Sequence, residues 1–302
     1  MNAAVQNRGL SCRFGDVVAV DDVDLEVNPH EVLGVVGPDA AGKSTLMRMA
    51  VGVLAPSAGS VHVAGLDVHL QRARARGRLG YMSQAFSLYR DLTVGENIWF
   101  FATLRGVSRS DRIARSQRLL AATGLAEFTG RHAGKLSGGM KQKLGLICTL
   151  VHEPDVLFLD EPTNGVDPVS RREFWDILAD LRERVTVVIS TPALDEAERC
   201  DRVALMSGGR FMAIDTPSGL RRRVTRPVWE VEIDQPFVAA ELIGRALPGA
   251  EVQLFGDRVH VVAEVSATEV RQILRGGGLA AEVVRVEPSL EDAYVQIVGA
   301  AS

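Results

Sequence analysis

Gly37-Pro38-Asp39-Ala40-Ala41-Gly42-Lys43-Ser44-Thr45 is the stretch on which the reading of this chain turns. An apolar run, Val32-Leu33-Gly34-Val35-Val36, precedes it, and Leu46-Met47-Arg48-Met49, which reads as helix, follows. A strand, a glycine-bounded loop ending in Lys-Ser and then a helix is the setting in which G-x-x-x-x-G-K-[ST] marks a phosphate-binding loop. The physical basis is convergence. Loop N–H groups and the positive end of the helix point at one place, which suits a polyphosphate. Lys43 is expected to reach the β- and γ-phosphates and the Ser44 hydroxyl to ligate Mg²⁺.

Composition sets the outer bounds. With 302 residues, 46% hydrophobic and 24% charged, the chain has room for one large domain and a smaller one. No apolar run approaches the ~18 residues of a membrane span. The longest, Leu144 to Val151, is broken by Gly145 and Thr149. Met1-Asn2-Ala3-Ala4 lacks the charged-then-apolar pattern of a leader. Cys12, Cys148 and Cys200 stand apart without a C-x-x-C, which argues against a disulfide frame or zinc site and for a reducing cytosol. A net charge of −4 gives no global attraction to nucleic acid, so no nucleic-acid partner is expected. The arginine clusters at Arg72/Arg74/Arg76/Arg78 and Arg221–Arg223 read as solvated faces or linkers.

Along the chain, Leu10 to Val27 alternates around Gly15-Asp16 as an antiparallel hairpin does. Phe14 falls just before that turn, where it can serve as core or present a flat face to an adenine ring. Gly59–Gly65 and Leu79–Gln84 read as strands, the second ending in Gln84. From Leu92 to about His152 the pattern is helical, with Leu136-Ser137-Gly138-Gly139-Met140 opening the last helix before Pro154. Val156–Leu159 is a continuous apolar run, as in a parallel strand buried on both faces, and it ends in Asp160-Glu161. Asp167-Pro168 starts a helix with a capping side chain and a first-turn proline. Another buried strand, Val185–Ile189, ends at Ser190-Thr191-Pro192, and a hairpin turns at Gly208-Gly209. Beyond Arg221–Arg223 the order is strand, helix, two strands joined at Gly256-Asp257, helix, strand and a final helix, a split β-α-β layout with a ferredoxin-like order.

Taken together, the Gly37–Thr45 loop, Gln84, Leu136-Ser137-Gly138-Gly139-Met140, Asp160-Glu161 and Asp167 resemble the ATP-binding subunit of an ABC transporter over roughly residues 5 to 220. The expected fold is α/β: a P-loop ATPase domain over 1–222, with an antiparallel β subdomain and a helical subdomain over about 85–154. A small α+β ferredoxin-like domain over 223–302, for docking or dimer support, follows it.

The resemblance implies a role for each motif. Residues Gly37, Pro38, Asp39, Ala40, Ala41, Gly42, Lys43, Ser44 and Thr45 would cradle ATP, and Phe14 would stack on adenine. Asp160, with Ser44 and Gln84, would hold Mg²⁺. Glu161 would polarise the attacking water, beside Lys43 as the other catalytic group. Gln84 would relay the state of the site to a partner. Ser137, Gly138 and Gly139 would contact the ATP of a facing subunit, with Asp167 at the seam, in a homo- or heterodimer with a second ABC ATPase. A separate transmembrane permease would hold the pair at the inner face of the cell membrane, the chain itself being cytoplasmic. Gln84 to Gly106 resembles the permease-docking region of the drug-export branch, and Pro288-Ser289-Leu290-Glu291-Asp292-Ala293-Tyr294 that branch's C-terminal segment. The competing readings are a nucleotide-gated regulatory subunit with little hydrolysis and a soluble non-transport ABC ATPase. The second would need two ATPase units or a long coiled-coil insertion, and neither is present in this sequence.

Two positions depart from the family pattern. Pro192 stands where the family has the histidine of Ser-Thr-His, and proline offers neither a side-chain donor nor an N–H. Losing one transition-state donor costs about 10²–10³ in turnover. Ala40 stands where glycine is usual, and if the loop needs a positive φ there its Cβ costs roughly 1–2 kcal/mol. Asp39, where asparagine is common, is expected to point away from phosphate. Both departures fall on the chain's own ATP site, while the Ser-Gly-Gly signature is whole. The expectation is an asymmetric pair in which this site binds ATP and hydrolyses it slowly.

Overall fold

Three apolar runs, each ending in a polar turn, become three adjacent parallel strands. The structure, a computed structural model, describes residues 3–84 and 88–299. In chain order, β1 (Val5–Phe14) and β2 (Val17–Val27) form a hairpin, and β3 (Val32–Val36) runs through the loop into α1 (Lys43–Ala50). Next come β4 (Ala58–Val63), β5 (Leu66–Asp67), α2 (Arg72–Arg78) and β6 (Leu79–Met82). A helical segment follows with α3 (Val94–Leu104), α4 (Arg109–Ala122) and α5 (Gly138–Leu150). The chain then returns through β7 (Val156–Asp160), α6 (Pro168–Leu181), β8 (Thr186–Thr191), the short α7 (Leu194–Ala197), β9 (Arg202–Ser207) and β10 (Arg210–Asp215).

These strands make two sheets. One has the order β2-β1-β4-β5 and antiparallel neighbours. The other has six strands in the order β10-β9-β3-β8-β7-β6, with parallel pairing from β9 to β6. Every residue of β3, β7 and β8 is buried, as a parallel sheet covered on both faces requires. Register aligns the carboxyl ends of the three: Val36 lies opposite Thr191, and Asp160 opposite Ser190. Ligands of open α/β sheets bind outside those ends.

The helical segment begins with a capping box, in which Thr93 caps Glu96 N–H and the Glu96 side chain returns to Thr93 N–H. Asn97, fully buried, exchanges bonds with Tyr89 N–H and carbonyl and donates to the Leu92 and Thr93 carbonyls. One side chain thereby orders the turn that leads into α3. Ala85, Phe86 and Ser87 of the expected docking stretch lie outside the described residues.

The chain divides within β10 into two compact units, Met1–Phe211 and Met212–Ser302. The expected boundary at 222/223 lies past this point, beyond α8 (Pro217–Arg221). That helix is capped by Thr216, buries Leu220 and packs against α11 (Leu290–Gly299) of the same unit. Of the arginine clusters, the first lies on α2 with all four side chains exposed, a solvated face, and the second ends α8 at Arg221 and continues through a turn at Arg222 and Arg223.

Between α8 and α11 the second unit runs β11 (Val228–Glu232), α9 (Pro236–Ala246), β12 (Glu251–Phe255), β13 (Arg258–Val262), α10 (Ala267–Gly276) and β14 (Glu282–Val286). Its sheet order is β12-β13-β11-β14, every neighbouring pair antiparallel. Val231, Val259, Val261 and Val283 pack with Ala239, Ile243, Val270 and Leu274 of α9 and α10 in one core. His260 sits buried between two carboxylates, Asp292 at 3.3 Å from Nδ1 and Glu230 at 3.4 Å from Nε2. Burial pushes the His260 pKa down, but the bonds to Asp292 and then Glu230 outweigh it and hold the imidazole above its usual value.

Candidate nucleotide site

The three aligned strand ends supply the site. Lys43, only 4% exposed, donates to the carbonyls of Gly37 at 2.8 Å and Pro38 at 3.0 Å and lies 3.4 Å from the Glu161 carboxylate. A buried ammonium needs such partners. Ser44 Oγ donates to Asp160 Oδ1 at 3.0 Å, and Ser190 Oγ donates to the same oxygen at 2.7 Å. Tyr81 OH approaches Asp160 Oδ2 at 3.4 Å. Burial first, and the Asp160 charge second, push the Tyr81 phenol up to about 12, so it stays a neutral donor.

Glu161 is buried and held in the left-handed region at φ 48. A long side chain there costs about 1–3 kcal/mol and persists only where its surroundings fix it. Here its N–H donates to both the Ser190 carbonyl at 3.1 Å and Ser190 Oγ at 3.0 Å. Its carboxylate Oε2 accepts from Gln84 Nε2 at 2.9 Å and Asn164 Nδ2 at 3.2 Å. The adjacent carboxylates are thus separated in role. Asp160 faces Ser44 and the helix start, while Glu161 faces Lys43 and Gln84.

The loop has the conformation that its sequence foretells. Gly42 has φ 105, and a Cβ there would overlap the Ala19 carbonyl of β2. Ala40 adopts φ 63, so the strain anticipated for it is present. Asp39 is exposed. Ala41 N–H donates to the Pro38 carbonyl, and Gly209 N–H to the Ala41 carbonyl, tying the loop to the β9–β10 turn. No side chain caps α1, which leaves first-turn N–H groups at Lys43, Ser44 and Thr45 for an anion.

Hard oxygens at Ser44 and Asp160, bonded to each other, suit Mg²⁺. Among the described residues no group of three or more His, Cys, Asp or Glu side chains could hold a metal unaided. The donor set therefore fits an ion that arrives with phosphate oxygens as its remaining ligands.

Other expected site residues form a separate surface. Ser137 caps α5, accepting from Met140 N–H at 3.3 Å. Gly138 is exposed with open space where a Cβ would stand, whereas a Cβ on buried Gly139 would overlap Ser170. Asp167 caps α6 by accepting from Ser170 N–H at 3.0 Å, and that bond holds its carboxyl below the usual range. The signature and Asp167 are thus brought together through Ser170. Among the described residues, no hydrogen bond or ion pair joins them to the Gly37–Thr45 loop. Phe14, 51% exposed, ends the strand paired to β2, whose Ala19 borders Gly42. Pro192 is exposed just past Thr191. His152 does not replace the absent imidazole. Its ring is bonded to the Leu79 carbonyl at the opposite end of β6, and burial with the nearby Arg105 charge holds it down to about 4.

Sequence reasoning missed Tyr81, Ser190, Asn164, Thr163 and Glu196. Ser190 had a signal, a hydroxyl at the end of an apolar strand run. Glu196 had none, because two of its partners, Thr163 and Arg171, are distant in the chain.

A phosphate-binding loop between a buried parallel strand and a helix, with two carboxylates at the end of a nearby parallel strand, defines a P-loop nucleotide-binding protein. The pattern of the ABC transporter family matches residues 20–164. Over 307 residues the chain is 42% identical to the "Probable multidrug ABC transporter ATP-binding protein YbhF" of Escherichia coli K12, covering 99% of this chain and 53% of that protein. It therefore spans about half the length of that relative. Against the daunorubicin resistance ATP-binding protein DrrA2 of Streptomyces coeruleorubidus it is 34% identical, covering 98% of this chain and 95% of that protein. A solved ATP-binding subunit of an ABC transporter superposes with a TM-score of 0.67 at 26% identity, over 73% of this chain and 92% of that one. The chain belongs to the ABC transporter ATP-binding proteins.

Proposed function

We propose that this chain is the ATP-binding subunit of an ABC exporter, driving transport by binding and hydrolysing ATP in a site shared between two subunits. The observation that carries this reading is the gathering of Lys43, Ser44, Asp160 and Glu161 at adjacent strand ends, with the Ser137-Gly138-Gly139 surface apart from them. A site split in this way is completed by a second ATPase, like or unlike this one. Lys43 would turn from the Gly37 and Pro38 carbonyls to the β- and γ-phosphates. Ser44, Asp160 and Gln84 would hold Mg²⁺, which screens phosphate charge when bound. Glu161 would accept the proton of the attacking water, and Phe14 would stack on adenine. Ser137 and Gly138 would face the partner's nucleotide, beside Asp167 at the seam.

Among the described residues no helix is long and apolar enough to cross a membrane. A separate permease is the membrane partner this reading implies, placing the chain on the inner face of the cell membrane. The export branch is favoured by relatives named for multidrug transport and daunorubicin resistance. We read the second unit as a ferredoxin-like module for docking or dimer support, with the functional boundary near 222/223. Its β-α-β-β-α-β order and antiparallel sheet support that reading. Pro192 and Ala40 favour slow hydrolysis in this chain's own site.

Equilibrium binding of a fluorescent ATP analogue tests the assignment. Tight binding by the wild type and by Glu161→Gln, with loss in Lys43→Ala, is expected. Equal binding by wild type and Lys43→Ala contradicts it.

A further inference from the structure

Glu196, outside every motif used above, is a carboxylate only 3% exposed that joins three segments of the first unit. Its Oε1 accepts from Thr163 Oγ1 at 2.5 Å and its Oε2 from Thr191 Oγ1 at 2.7 Å. Arg171 Nε, on α6, lies 3.5 Å from Oε1. A buried carboxylate is tolerated only with such partners, and two hydroxyl donors with a nearby guanidinium charge fix its position.

What these donors are attached to gives the contact its meaning. Thr163 follows Glu161 by two residues, and its neighbour Asn164 donates to the Glu161 carboxylate at 3.2 Å. Thr191 adjoins Ser190, which accepts the Glu161 N–H and donates to Asp160. Thr191 Oγ1 also accepts the Ala193 N–H at 3.0 Å, setting the path of the chain at Pro192. Glu196 thus grips both segments that hold Glu161 in its left-handed conformation. Arg171 lies one residue past Ser170, which packs on Gly139 and is capped by Asp167.

We infer that Glu196 is a positioning residue for the hydrolytic step, fixing the aim of the Glu161 carboxylate through Thr163 and Thr191 and coupling that aim to the seam helix through Arg171. The role rests on the ATPase reading above. It also gives the loop at Pro192 an anchor that does not depend on a histidine.

The test compares the full chain with Glu196→Gln, which keeps size and one acceptor, and with Thr163→Val, which removes one hydroxyl link from the other side. A fall in kcat of about 10-fold or more is expected for each, with ATP affinity and Tm unchanged. No further fall is expected in a Glu161→Gln background. An unchanged kcat, or the same fractional loss in the Glu161→Gln background, overturns the inference. Amide exchange of peptides covering 161–166 and 190–194 reads the same clamp without turnover. Faster exchange in Glu196→Gln at unchanged Tm supports it, and unaltered exchange overturns it. If wild-type turnover does not exceed that of Glu161→Gln, the ATPase reading fails instead, and the exchange data alone decide the fate of Glu196.

Discussion

The first unit carries two half-sites built on opposite plans. Around the P-loop, Lys43, Asp160 and Glu161 are buried and each has at least two polar contacts. At the signature, Ser137 and Gly138 are exposed, and the buried neighbour Gly139 serves packing against Ser170. In the function proposed above, the first half does the chemistry and the second is presented to another ATPase. The two departures from the family pattern, Ala40 and Pro192, both fall on the reacting half, so within one chain the presenting half is intact and the reacting half is altered.

That contrast can be broken by mutation. The largest effect is expected at Glu161: Glu161→Gln should lower turnover about 10²–10⁴-fold with ATP binding retained, measured by phosphate release and nucleotide binding on the same preparation. Binding lost along with turnover would mean that Glu161 mainly supports Lys43 through their ion pair.

Next come the two signature glycines, which should separate folding from function. Gly139→Ala forces a Cβ into Ser170 and should cost about 1–3 kcal/mol of stability, as overpacking does. Gly138→Ala should leave Tm unchanged and impair only ATP hydrolysis in the assembled pair. Equal Tm losses would erase the distinction between a packing glycine and a presenting one.

A smaller effect belongs to Ala40→Gly. Relief of a left-handed alanine, worth about 1–2 kcal/mol, is offset by the 0.4–1 kcal/mol of unfolded-state entropy that glycine restores. The net gain should lie between about 0 and 1.6 kcal/mol, visible as a slightly higher Tm. A lower Tm would show that Ala40 is fully accommodated.

The last prediction is a control outside both half-sites. His260 is held above its usual pKa, so its protonated form is favoured on folding. That contribution is complete below the unfolded value near 6.5 and is lost as pH rises through the higher folded value. Asp292 has the opposite sign. Burial raises it, but its bonds to His260 and Ser289 prevail and leave it lowered, so its contribution persists until strongly acidic pH. The stability advantage of wild type over His260→Gln should shrink from about pH 6 to pH 9 in thermal melts, leaving ATP binding unaffected. An advantage constant across that range would remove the charged contact between His260 and the first turn of α11.

Much of the fold was legible because its signals are local. The turns at Gly15-Asp16 and Gly208-Gly209, the buried runs ending at Val36 and Leu159, and the strand and helix order of the second unit each lie within a short window. The positive φ of Ala40 was legible as well, since a loop motif specifies its backbone. Other features depend on residues far apart in sequence. Thr163 and Thr191 converge on Glu196 only after β7 and β8 pair, and Gly139 meets Ser170 only when α5 packs on α6. The packing of Pro217–Arg221 on α11 likewise has no local signal, because α11 lies at the far end of the chain.

The central claim, that the chain's own site holds ATP but is slowed by Pro192, is tested most directly by steady-state ATP turnover of the purified full chain and of Pro192→His. A slow wild type, accelerated about 10-fold or more by the histidine, is the predicted result. Brisk turnover by the wild type, unchanged in Pro192→His, would contradict it.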